Sequence, residues 1–377
     1  MVLRGHSANP WDLRQWAPLA DRYEVDVVVT PSNMFGTDDL PLPQTTVRSV
    51  RDYLPRGRVG DLAAKLPGDR YLGLQDALEG ADIVHSAEIG PWFSGQAAAL
   101  RSELGFKLAL TVWETIPFRE TYRTFRGRRY RAEALRHADL FLPTTERARQ
   151  CLRLEGVEDD RLVVHPPGID RGRFRPDGDP QAASGDHLIL SPGRLVWEKG
   201  HQDVLRALAA LERGLVSGPG GAPAPPARLL VVGSGPERKR LARYADDLGV
   251  APFVEFRDSV PYDEMPDLYA RASCMVLASI PIPMWEEQFG MVLAEAMASG
   301  TAIVAAASGA IPEVVGEPAD LVSPGDWMGI AEALASGPLA RPPGQRVLYA
   351  EDRLERYSAA AAAERLDAVY RELLGRP

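Results

Sequence analysis

Leu188-Ile-Leu-Ser191 runs into Pro192-Gly-Arg-Leu-Val-Trp-Glu-Lys-Gly200, and that loop runs into the helical pattern His201–Glu212. The apolar run is too short for a helix, and Pro and Gly then mark a turn. An amphipathic segment follows. This is a strand–loop–helix unit, and a strand buried on both faces of a parallel sheet reads as such a continuous apolar run. The unit recurs in both directions. Toward the N-terminus the runs are Met1–Arg4, Val25–Thr30, Asp82–His85, Lys107–Val112 and Leu140–Pro143. Toward the C-terminus they are Arg228–Val232, Val254–Phe256, Cys274–Ala278, Ala302–Ala305 and Ala319–Val322. Helical patterns such as Glu237–Asp247, Asp263–Arg271 and Met291–Ser299 lie between them. Alternation in both halves predicts two doubly wound α/β domains.

A chain of 377 residues exceeds one ordinary core, in keeping with two domains. The Pro-, Gly- and Asp-rich stretch 167–185 has no apolar period and marks the boundary. The expected division is 1–175, 176–355, and a C-terminal helix in 356–377 that packs back on the N-terminal domain. No run reaches the roughly 18–20 apolar residues of a membrane-spanning helix. The first residues lack the basic and apolar regions of a signal peptide. Cys151 and Cys274 are too few for a disulfide framework and read as small buried side chains, so a cytoplasmic location is expected. The net charge of −9 is uneven: residues 1–175 carry 25 Lys and Arg against 24 Asp and Glu, the remainder 18 against 28. That balance argues against a general nucleic-acid binder.

Ligands of open α/β sheets bind beyond the carboxyl ends of the strands. In the loop after Ser191, Arg194 and Lys199 stand near the start of a helix. A guanidinium fork and a point charge there suit a diphosphate, although exposed loop cations read the same way. Val231-Val-Gly-Ser-Gly-Pro236 resembles the start of a dinucleotide fingerprint, but Arg238 stands where its third glycine belongs. Gly233 and Gly235 therefore point away from NAD and toward a close backbone approach to another ligand, such as a nucleoside. The richest stretch is Trp285-Glu-Glu-Gln-Phe-Gly-Met-Val-Leu-Ala-Glu-Ala-Met-Ala-Ser-Gly300. Glu287 precedes a helix that begins near Gly290, and Glu295 lies inside it, about 12 Å further along the axis. That spacing suits the two ends of one extended ligand. The amides of Phe289, Gly290, Met291 and Val292 are oriented for phosphate oxygens. The competing reading makes Glu287 a helix cap and pairs Glu295 with a nearby arginine.

The Glu287-x7-Glu295 spacing resembles the E-x7-E signature of retaining GT-B glycosyltransferases, in particular glycosyltransferase family 4. Pro167-Gly-Ile-Asp170, Gly193-Arg194 with Lys199, Val232-Gly-Ser-Gly235 and Ser308-Gly-Ala-Ile-Pro-Glu313 follow in the order such a family shows. The resemblance covers about residues 140–335 and weakens before residue 80. It implies the GT-B fold, two Rossmann-like domains facing across a cleft. It implies transfer from a UDP-, GDP- or similar nucleotide-sugar to a hydroxyl acceptor, with retention and without a metal or resident cofactor. By the same resemblance Arg194 and Lys199 hold the donor diphosphate, Glu287 contacts the transferred sugar, Glu295 binds the ribose, and the base lies near Arg257.

The acceptor side departs from the family pattern. The first loop, Gly5-His-Ser-Ala-Asn-Pro10, has one glycine, and Trp113-Glu114 stand where many members carry a histidine. His6, His85, Glu88 and Glu114 are the candidates there, with a structural or solvated side chain as the competing reading of both histidines. The acceptor is a small molecule, a glycan or a lipid-linked group. The run Phe118–His137 holds seven arginines, opposed by Glu120 and Glu133 and interleaved with Phe118, Tyr122, Phe125 and Tyr130. It suits peripheral contact with an anionic membrane surface, or simply a solvated basic face. A nucleotide-sugar epimerase, a phosphorylase and a non-catalytic nucleotide-sugar binder stay open as alternatives. The scarcity of lysines disfavours a pyridoxal-type phosphorylase.

Overall fold

The computed structural model describes residues 1–38, 40–55, 68–119, 125–176 and 186–376. They form two compact units, Met1–Gly168 with Arg356–Pro377, and Ile169–Glu355.

The first unit holds a six-stranded parallel sheet of β1 (Val2–Leu3), β2 (Val27–Val29), β3 (Gln44–Thr46), β4 (Ile83–Ala87), β5 (Lys107–Val112) and β6 (Leu140–Pro143). The spatial order is β3-β2-β1-β4-β5-β6. Every strand but β3 is one of the expected apolar runs. β3 reads Gln-Thr-Thr and lies largely exposed at the sheet edge, so burial never imposed an apolar sequence on it. One face of the sheet packs Leu3, Val28, Val84 and Leu110 against the helix Trp92–Leu104 and its neighbours.

The other face is closed from the far end of the chain. Ser358 caps the helix Ala359–Leu373 by accepting from the Ala361 amide at 3.0 Å. Its Ala363, Leu366, Val369 and Tyr370 then pack among Val2, Leu13, Trp16 and Val27. Trp16 Nε1 donates to the Tyr370 hydroxyl at 2.9 Å, and Arg22 reaches Glu364 and Asp367 at 2.7 and 2.9 Å.

The second unit holds β7 (His187–Pro192), β8 (Ala227–Val232), β9 (Val254–Arg257), β10 (Cys274–Leu277), β11 (Ala302–Ala306) and β12 (Asp320–Val322). All are parallel, in the order β12-β11-β10-β7-β8-β9. The helix His201–Glu212 buries Val204, Leu205, Leu208 and Leu211 against one face. The unit begins at Ile169, seven residues before the expected 176. Phe174 packs on Tyr262 and Tyr269 at 5.5 and 5.9 Å between centroids, and Arg173 pairs with Asp263, so this stretch belongs to the second core despite its loop-like composition. Residues 177–185 of the expected linker lie outside the described residues. Both cysteines are buried and free. Among the described residues no helix is long and apolar enough to cross a membrane.

Candidate functional site

In the second unit the direction of winding reverses between β10 and β7, and such a switch point opens a crevice at the strands' carboxyl ends. Lys199 follows β7, and Ser279 and Glu287 follow β10. Lys199 Nζ donates to Glu287 Oε2 at 2.7 Å, and Ser279 Oγ donates to the same oxygen at 2.7 Å. The ammonium also stands 5.0 Å from the Trp285 ring centroid. The side chains of Lys199 and Glu287 are only 13% and 8% exposed, so this is a partly desolvated ion pair with a further hydroxyl donor. The backbone of residue 287 is held from below. Ala310 N donates to Glu287 O at 2.8 Å, and Gly309 (φ +55°) passes so close that a Cβ on it would lie 2.0 Å from that oxygen.

Glu287 thus precedes the helix rather than capping it. Gly290, in a left-handed conformation, caps Met291–Ala298. Phe289 is buried, whereas Gly290, Met291 and Val292 are half-buried at the first turn, where amides have no preceding intrahelical acceptor.

Glu295 lies inside that helix with 4% exposure and accepts from the Tyr269 hydroxyl at 2.8 Å. Burial pushes its carboxyl up to about 7, against the hydrogen bonds from Tyr269 and Tyr262. A raised carboxyl favours folding while it is protonated: the contribution is whole below the ordinary value near 4.5 and is lost as pH climbs through 7. Glu295→Gln is therefore expected to gain stability over the parent between about pH 5 and pH 8, by on the order of 2–3 kcal/mol. Urea unfolding at both pH values measures it, and a gain that is equal at both would contradict the raised carboxyl.

Gly233 and Gly235 allow a close approach of two protein loops. A Cβ on Gly233 would lie 1.9 Å from Gly193 O, and one on Gly235 2.3 Å from Leu195 O. The two loops are zipped together by Leu195 N donating to Ser234 O at 2.8 Å and Glu237 N to Leu195 O at 3.0 Å. The zipper presents Arg194 outward, its guanidinium exposed and with no hydrogen bond or ion pair among the described residues. Arg257 ends β9 and donates through Nε to Glu255 at 2.7 Å.

In the first unit the winding reverses between β1 and β4. His6, after β1, contacts Thr30 Oγ1 at 3.0 Å and pairs with Asp69. Glu88, after β4, accepts from Trp113 N at 2.8 Å, and burial pushes it up to about 7. Glu114, after β5, is buried and accepts from Thr115 N, Ile116 N and Arg119 Nη1 at 3.1, 2.9 and 2.6 Å. His85 is not at the mouth. β4 runs on to Ala87, which leaves His85 in mid-strand. Its Nδ1 lies 2.7 Å from the Tyr370 hydroxyl, its Nε2 2.7 Å from Thr111 Oγ1, and burial holds its pKa well below the usual range. It is a core histidine, and its candidacy for the acceptor side is withdrawn.

Of the basic run, Glu120, Tyr122 and Arg123 lie outside the described residues. Arg126, Arg128, Arg129 and Arg136 are exposed on the helix Phe125–His137, beside Phe125 at 84% exposure. Arg131 is instead tied to Glu155 and stacked on Phe118.

Sequence reasoning missed Ser279 and Tyr269. Ser279 stands two residues past β10, where the carboxyl-end rule points. Tyr269 sits on the short helix Met265–Arg271, whose sequence carries no sign that it meets residue 295.

Residues 176–337 match the family model described as glycosyl transferases group 1, and residues 7–168 match the glycosyl transferase 4-like domain. A stretch of 163 residues is 36% identical to the GDP-mannose-dependent alpha-(1-6)-phosphatidylinositol monomannoside mannosyltransferase of Mycolicibacterium smegmatis, covering 40% of this chain and 39% of the relative. A stretch of 189 residues is 33% identical to the D-inositol 3-phosphate glycosyltransferase of Mycobacterium tuberculosis, covering 47% and 35%. The matches thus span less than two-fifths of these relatives' own length. Among solved structures, HepE of Anabaena in complex with UDP and glucose superposes with a TM-score of 0.72 at 18% identity, covering 98% of this chain and 99% of that one. Sucrose-phosphate synthase of Thermosynechococcus elongatus gives 0.70 at 22%, covering 99% and 98%. Both likenesses are of fold.

Proposed function

This chain belongs to family 4 of the glycosyltransferases, with the GT-B fold, and from that premise we propose that it moves a sugar from a nucleotide-sugar to an acceptor hydroxyl, with retention and without a metal. The observation that carries the reading is the buried Glu287–Lys199 pair at the mouth of the helix Met291–Ala298. When the bond between the anomeric carbon and the diphosphate breaks, negative charge gathers on the departing phosphate. Lys199, Arg194 and the first-turn amides are fixed donors for that charge, needing no reorganisation as it develops. Glu287 meets the transferred sugar and holds Lys199 in place. Glu295 meets the ribose, displacing its contact with Tyr269. In a front-side displacement the acceptor oxygen bonds to the anomeric carbon, and its proton passes to the leaving phosphate oxygen. The relatives named for GDP-mannose and the neighbour solved with UDP support a nucleotide-sugar donor without choosing its base.

The test is incubation with UDP- and GDP-sugars while free nucleotide is followed. Slow donor hydrolysis supports transfer, a free epimer would support an epimerase, and binding without turnover a sensor. Arg194→Ala is expected to lower nucleotide release by about 10²-fold with no change in thermal midpoint, because the side chain is exposed and unpaired. Near-normal release in that variant would remove Arg194 from the phosphate site.

A further inference from the structure

Away from both switch points, a groove of about 280 Å³ opens on the second unit between the helices His201–Glu212 and Arg238–Asp247. Its volume is at the small end of ligand sites. The half of the chain that carries the acidic excess is locally basic here, because Arg206, Arg240 and Arg243 line the groove against Asp247 alone. Helical spacing gathers them. Positions 240, 243, 244 and 247 share one stripe of their helix, and 202 and 206 share one stripe of the other. Leu241 and Ala245 are buried and hold the first of these helices in the core.

Much of the donor capacity in this groove is unused. A guanidinium carries five N–H donors. Arg206 donates from Nε to the Tyr244 hydroxyl at 2.7 Å and from Nη1 to Asp203, and its Nη2 has no protein partner among the described residues. Arg240 pairs with Glu237 through Nη2 and lies 4.7 Å from the Trp197 ring centroid. Arg243 is exposed, with no hydrogen bond or ion pair among the described residues. Acceptors stand beside these donors. Gln202 is 4% exposed, and while its Nε2 donates to Trp197 O at 3.1 Å its Oε1 accepts from no donor among the described residues. The Asp247 carboxylate is exposed. Trp197, 46% exposed, adds an apolar ring to the same groove.

Converging guanidinium forks suit a phosphate. A carboxylate and an amide oxygen accept from hydroxyls and offer a phosphate nothing. An indole covers the apolar face of a ring. We propose that this groove binds a phosphorylated monosaccharide, with its phosphate on Arg206, Arg240 and Arg243, its hydroxyls on Gln202 and Asp247, and its ring against Trp197. The binding does not depend on the transferase reading.

The experiment is isothermal titration calorimetry on the full chain. The probes are the 1- and 6-phosphates of glucose and mannose, with glucose, inorganic phosphate, UMP and GMP as comparisons. At least one sugar phosphate is expected to bind about tenfold tighter than glucose or inorganic phosphate, and to weaken as salt is raised. Arg243→Ala and Trp197→Ala, confirmed as folded by circular dichroism, should each weaken that binding about tenfold. Arg194→Ala should leave it unchanged. Inorganic phosphate binding as tightly would reduce the groove to a general anion patch and overturn the proposal. So would binding of no sugar phosphate, or unchanged affinity in both folded groove variants. Loss in Arg194→Ala in place of Arg243→Ala would move the ligand to the loop after β7 and overturn it too. UMP or GMP binding that alone depends on Arg243 would make this a nucleotide site instead. Sugar-phosphate binding that depends on Arg243 in a protein releasing no nucleotide would leave the groove standing and sink the transferase reading.

Discussion

Lys199→Ala is expected to lower nucleotide release by about 10²–10³-fold, the scale seen when one preorganised donor to a developing anion is removed. Two effects combine. The ammonium that meets the leaving phosphate is gone, and Glu287 is left at 8% exposure with Ser279 as its hydroxyl donor. Removing one partner of a buried pair costs about 3–5 kcal/mol when burial is complete. Here Lys199 keeps some water contact, so a loss nearer 2 kcal/mol is expected. The double variant Lys199→Met with Glu287→Gln separates the two contributions. It carries no stranded charge, so its urea midpoint should return toward the parent while release stays low. If release recovered along with stability, Lys199 would be a scaffold for Glu287 and nothing more.

Gly309→Ala is the second large effect. A residue at φ +55° pays about 1 kcal/mol for a Cβ in the left-handed region. This Cβ would also meet the Glu287 carbonyl at 2.0 Å, and that carbonyl is tied to the Ala310 amide. The clash is with backbone and cannot be relieved by a rotamer change, so the expected total is about 3–4 kcal/mol, with residue 287 displaced and release falling at least tenfold. Gly249→Ala is the control: φ is +71° with nothing within 4 Å of the added atom, so it isolates the conformational part. Equal losses in the two variants would show that the contact beneath Glu287 carries no weight.

How much of this was legible in the sequence depends on whether a residue's neighbours are close in the chain. The central strands were legible because burial on both faces forces runs such as Cys274–Leu277, and the helices because one face must meet the sheet. The edge strand Gln44–Thr46 was not, since nothing buries it. The loops around Glu287 and Lys199 were legible through glycines and charge at strand ends. What those glycines do was not: Gly233 and Gly235 answer to Gly193 and Leu195, some forty residues earlier. His85 was placed at the strand's end because a histidine two residues short of that end looks like one at it, and the structural reading of it is the one the fold bears out. Tyr269 and Glu295, 26 residues apart, form a bond that no periodicity marks.

The helix Ala359–Leu373 gives the chain an unusual order of completion. A ribosome releases most of the first unit, then all of Ile169–Glu355, and only after that the helix that covers Val2, Leu13 and Trp16. The second unit, one continuous segment, is therefore complete while the first still exposes an apolar face of its sheet. Domains generally fold as units during synthesis and from the N-terminus onward. In this protein the N-terminal unit is begun first and finished last, and during that interval its uncovered face is the surface a chaperone would meet.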